Sequence, residues 1–89
     1  MSNVREVLNE RGKRYGEFSD FAEAACELRE VVANHQRNPM SRVQAEAMSM
    51  ILHKIARITT GDPSYDDSWL DIAGYAQLVV DELRSNDKV

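Results

Sequence analysis

Apolar residues recur along this chain at spacings of three and four, and no stretch alternates with the period of a strand, so the pattern predicts an all-α protein. Ser2 or Asn3 is placed to cap a short first helix whose Val4, Val7 and Leu8 form a narrow apolar stripe, with Gly12 as its terminator. After the connection Lys13-Arg14-Tyr15-Gly16, the positions Phe18, Phe21, Ala22, Ala25, Leu28 and Val32 predict an amphipathic helix from about Ser19 to His35, with Ser19 as its cap. Asn38-Pro39 breaks this pattern. Ser41 and Gln44 then have the spacing of a capping box, which opens a third helix running to Thr59 or Thr60, stopped by Gly61 and Pro63. A fourth helix follows, capped by Asp66, Asp67 or Ser68, with Trp69, Ile72, Ala73, Ala76, Val79, Val80 and Leu83 on one face. The expectation is a single all-α domain over residues 1 to 89, a small bundle of one short and three longer helices completed by oligomerisation.

The third helix is the one expected at the centre, because Val43, Ala45, Ala47, Met48, Ile51, Leu52, Ile55, Ala56 and Ile58 cover most of its circumference. Trp69, Ile72 and Val79 are expected to pack on it. Its polar residues gather in a stripe of Glu46, His53 and Arg57, with Lys54 at the edge. A polar stripe on a buried helix must face a cleft, a partner chain or opposite charges, since an unpaired buried ion is costly. Salt bridges between subunits and a ligand site both satisfy that requirement. On the fourth helix Asp67 and Asp71 sit in the first turns, where the helix dipole favours carboxylates. Gly74, inside the same helix, costs about 1 kcal/mol relative to Ala and marks, with Tyr75, a second contact face. The turn at Gly61-Asp62-Pro63 folds the two helices antiparallel, so His53, Lys54, Arg57, Asp71 and Tyr75 are the candidate ligand-binding residues, lining one polar depression. On the second helix Glu23, Glu27 and Glu30 form a ridge able to hold a hard divalent cation if another helix adds oxygen ligands, and equally able to be a solvated face.

Composition narrows the classes of function. A net charge of −4 argues against a duplex-DNA binder, whose affinity comes from neutralising phosphates. Cys26 is the single cysteine, which leaves neither a disulfide framework nor a thiolate zinc site within one chain. No apolar run is long enough to span a bilayer, and the polar start is no signal peptide, so the expected setting is a reduced cytoplasm.

The segment Arg-Gly-Lys-Arg-Tyr-Gly-Glu-Phe at 11 to 18 and the run Gln-Ala-Glu-Ala-Met-Ser-Met-Ile at 44 to 51 resemble a family of small phage and prophage proteins. His-Lys-Ile-Ala-Arg-Ile from 53, followed by Asp-Ser-Trp-Leu-Asp-Ile-Ala-Gly-Tyr-Ala from 67, is the most specific part. Such proteins are distantly similar to the all-α nucleotide pyrophosphohydrolases of the MazG type, oligomeric bundles that use helix-borne acids and magnesium. The resemblance implies Glu23, Glu27 and Asp67 as ligands of Mg2+, with Glu30 and Asp71 nearby, although the acid spacing departs from the MazG-type pattern. Lys54 and Arg57 suit phosphate contacts independently of any metal. Three expectations follow: a nucleotide-binding homo-oligomer with or without magnesium-dependent hydrolysis, a non-catalytic protein that sequesters a nucleotide or inhibits a host protein, and a ligand-free structural oligomer.

Overall fold

The structure is a computed structural model that describes residues 3–86. Four helices make up its regular structure: α1 (Val4–Tyr15), α2 (Phe18–His35), α3 (Arg42–Thr60) and α4 (Asp66–Asn86). Among the described residues there is no strand. The all-α expectation therefore holds, and so does the division into one short and three longer helices.

Several helix ends follow from local chemistry. Asn3 caps α1 by accepting from the Glu6 amide at 2.9 Å; Ser2, the other candidate, lies outside the described residues. Ser41 and Gln44 form both hydrogen bonds of the capping box, at 3.1 and 2.8 Å. Three ends differ from expectation. Gly12 does not stop α1, which continues one turn to Tyr15 and ends on Gly16, whose amide donates to the Gly12 carbonyl and whose positive φ of 78° turns the chain out of the helix. Ser19 is already inside α2, whose cap position is Glu17 with no side-chain bond. Likewise Asp66, Asp67 and Ser68 lie within the first turn of α4 and do not precede it.

Packing is organised around α3. It contacts each of the other three helices, whereas α2 and α4 do not contact one another, so α3 lies between them. Three of the buried residues, Ala47, Leu52 and Ala56, belong to it, and no residue from Ser49 to Ile58 is fully exposed. Its first turns are more open, with Val43 and Met48 at the surface. Phe21 and Ala25 of α2 close on Ala56 to make the core cluster, with Ala24 and Leu28 beside it. Small residues at this contact let the helix backbones approach closely. Among the described residues no large side chain is fully buried, as expected for a chain of this size with little interior to fill.

The α4 face turned toward α3 includes Ile72 and Val79, as expected, but not Trp69. Ser68 is buried, Ile72, Tyr75 and Val79 are half-buried, and Trp69 and Ala76 are exposed. The contact is thus rotated toward Tyr75. An apolar arc running from Ile72 and Val79 round to Ala73 is wider than one neighbouring helix can cover. α3 docks at its edge, where Lys54 meets Asp71 at 2.9 Å.

Candidate functional site

One chain crossing positions the most unusual side chains. The connection after α1 and the connection after α3 pass backbone against backbone, tied by the Asp62 amide donating to the Arg14 carbonyl at 2.8 Å. Only glycine fits at either side: a Cβ on Gly16 would fall on the Thr60 carbonyl, and one on Gly61 would meet the Tyr15 Cα at 2.5 Å. This crossing draws the end of α1 over α3. As a result Tyr15 lies against Arg57, with the guanidinium carbon 4.1 Å from the ring centroid.

Arg57 is enclosed on more than one side. Its guanidinium also stands 5.2 Å from the Phe21 ring, and its Nε donates to His53 Nε2 at 2.9 Å. His53 in turn sits edge-on to Phe21, with centroids 4.8 Å apart and planes at 73°. To accept from Arg57, His53 Nε2 must be unprotonated. Its surroundings favour that state, since burial and then the charges of Arg57, Lys54 and Arg29 lower its pKa below the ordinary 6.5. Among the described residues the one salt bridge is Lys54–Asp71, so Arg57 has no carboxylate partner.

Arg57 opens into a groove of about 620 Å3 between α1, the start of α2 and α3. Four cations line it, Arg5, Arg11 and Lys13 from α1 besides Arg57, against the single carboxylate of Glu17. In a chain of net charge −4 this is a local inversion of sign. Aromatic rings complete the wall. Phe18 is 77% exposed and tilts against Phe21 at a centroid distance of 5.9 Å. The cavity is within the range of about 300–1,000 Å3 usual for small-molecule sites.

The expected single depression is in fact divided by α3. His53 and Arg57 turn toward α1 and α2, whereas Lys54 and Asp71 pair on the α4 side. The physical reason is angular: adjacent residues on a helix point about 100° apart, so His53 and Lys54 serve different neighbours. Tyr75 remains with Asp71, beside a shallow depression of about 350 Å3 that Leu70, Gly74 and Leu78 share. The candidate metal ligands are also separated. Glu23 and Glu27 are exposed on α2, and Asp67 on α4 accepts from the Tyr65 hydroxyl at 2.9 Å. That bond holds the Tyr65 pKa above its ordinary 10.0. Among the described residues no three His, Cys, Asp or Glu side chains converge as a metal site would require.

Sequence reasoning missed Tyr15, Phe18, Phe21 and the α1 cations as companions of Arg57. The available signal was the run Arg11-Gly-Lys-Arg-Tyr-Gly, in which basic and aromatic residues alternate with glycine just ahead of two phenylalanines. Among the described residues no helix is long and apolar enough to cross a membrane. No curated protein and no solved structure matches this chain. The model of one family, described as a domain of unknown function (DUF6378), matches residues 1–82, and the chain belongs to that family.

Proposed function

We propose that the chain is a binding protein for an anionic ligand that carries a planar ring, of the nucleotide class, held in the groove between α1 and α2. The observation that carries this reading is Arg57: half-buried, with aromatic rings on two sides and its Nε committed to a neutral histidine, it forms no salt bridge with a carboxylate among the described residues. A guanidinium in that state gains from an incoming phosphate, which it can meet through its remaining N–H donors. Arg11 and Lys13 extend the positive lining, and exposed Phe18 offers a face on which a base can stack, worth about 1–3 kcal/mol. Sequestration without hydrolysis is favoured over a MazG-like, magnesium-dependent pyrophosphohydrolase, because the acids on α2 and α4 lie on opposite sides of α3 within one chain. The reading includes a homo-oligomeric state; it extends to a phage or prophage protein acting inside a bacterial host, in line with the resemblance of its sequence.

Calorimetric titration with nucleoside mono-, di- and triphosphates tests the reading, with the free nucleoside and inorganic phosphate as controls. Wild type is expected to bind the nucleotide more tightly than either part. Arg57→Ala removes a charge-assisted contact worth about 1.5–3 kcal/mol and should weaken binding by roughly 10- to 100-fold. Circular dichroism checks that the variant keeps its helicity, and Arg11→Ala, at an exposed position, gives a second loss without touching the core. Absence of heat with every nucleotide in wild type would sink the proposal.

A further inference from the structure

The arc of α4 that α3 leaves uncovered has an order of its own. Trp69, Ala73, Ala76, Val80 and Leu83 follow one another at intervals of four, three, four and three, the spacing of a coiled-coil seam. Trp69 is 54% exposed and Leu83 46%, Ala73 and Ala76 are open to solvent, and Val80 is half-buried. The indole of Trp69 is fixed in place, since its Nε1 already donates to the Pro63 carbonyl at 2.8 Å. What it presents outward is therefore an apolar plate with its polar atom satisfied, the character of an interface anchor.

We propose that this seam is the interface of an antiparallel, two-fold homodimer with Ala76 at the axis. It specifies a face for the self-association included in the function proposed above, and it does not depend on the ligand groove. The occupant is a second copy for three reasons. The first is register. Trp69 and Leu83 stand seven residues to either side of Ala76, so a two-fold axis there lays each Trp69 against the partner copy's leucine and small alanine against small alanine, as isologous packing requires.

The second is charge. Asp66 and Arg84 lie on the same outer flank of the seam, one near each end, and antiparallel pairing brings the basic end of each α4 to the acidic start of the other. The alternative face, around Gly74, has Asp67, Asp71 and Asp81 beside it, so two copies meeting there would oppose like charges.

The third is area. The chain exposes 6992 Å2, against about 5,300 Å2 for a compact monomer of its mass. That excess, shared between α4 and exposed residues of α1 and α2, exceeds the roughly 800 Å2 per partner of a standard interface.

The test uses the full chain with Cys26→Ser, so that a single introduced cysteine reports position. Ala76→Cys is expected to form a cross-linked dimer on mild oxidation, because its Cβ lies at the axis, whereas Gly74→Cys should stay uncross-linked. Light scattering should give twice the chain mass for wild type. Ala76→Arg places like charges together at the axis and should weaken association by at least about 100-fold with unchanged helicity. A monomer mass at 100 µM, or cross-linking of Gly74→Cys as fast as Ala76→Cys, would overturn the assignment. Mass is read without ligand, so a failed nucleotide titration bears on the groove alone.

Discussion

His53 shows how one side chain can tie local chemistry to stability. Folded, it is held neutral by burial and by Arg57, Lys54 and Arg29; in the unfolded chain it takes up a proton near 6.5. Between its lowered folded value and 6.5 the unfolded state binds more protons, so stability rises with pH in that window. The contribution is complete above about 6.5 and is lost as pH falls through the folded value. Melting temperatures measured from pH 7.5 down to 5 should therefore drop for wild type. His53→Gln keeps an acceptor for Arg57 but no titrating ring, and its curve should be flatter over the same range. An identical slope in both proteins would assign the effect to other groups.

Between elements, the two glycine turns fix how α1 meets the rest. Gly16 needs a left-handed backbone, and both it and Gly61 sit where a Cβ would strike the opposing main chain. Gly61→Ala has no room to relax, since the atoms it meets belong to the backbone of Arg14 and Tyr15. It should destabilise by at least about 2 kcal/mol, as overpacking of a close contact does. Gly12 is the control: it lies inside α1, a Cβ there meets nothing within 4 Å, and Gly12→Ala should stabilise by about 0.5–1 kcal/mol. Urea denaturation of both variants reads the difference in sign. Lys54–Asp71 does less between α3 and α4, for a partly exposed pair contributes at most about 1 kcal/mol.

On the scale of the whole molecule, the outline is open. The radius of gyration is 15.6 Å, against about 12 Å for a compact chain of this length, and the longest extent is 51 Å. α1 contributes no buried residue, and its Val4, Val7 and Leu8 all face solvent. A chain that leaves so much apolar surface uncovered gains stability by mass action when copies associate. The melting temperature should therefore climb as protein concentration is raised from about 1 to 100 µM, since anything that binds the native state alone stabilises it. A concentration-independent melt would show that one chain stands alone.

Periodicity and capping chemistry alone determined the helices: the i, i+3, i+4 recurrence of Phe21, Ala25 and Leu28, the Ser41–Gln44 box and the Gly61 stop are local and act wherever the chain goes. They also made α3 the central helix, because a helix apolar on most sides must be surrounded. Which residues come together at the site was decided by tertiary structure. His53 and Lys54 are neighbours in sequence but point to different helices, and the answer to which one each meets depends on where α2 and α4 dock. The pairing of Arg57 with Tyr15 depends on a backbone crossing between segments more than forty residues apart, set by the fit of Gly16 against Thr60. No local pattern encodes that contact. The rotation of α4 has the same origin: its apolar arc allowed several faces to pack, and only docking on α3 selected the edge marked by Ser68, Ile72 and Tyr75, leaving Trp69 outside.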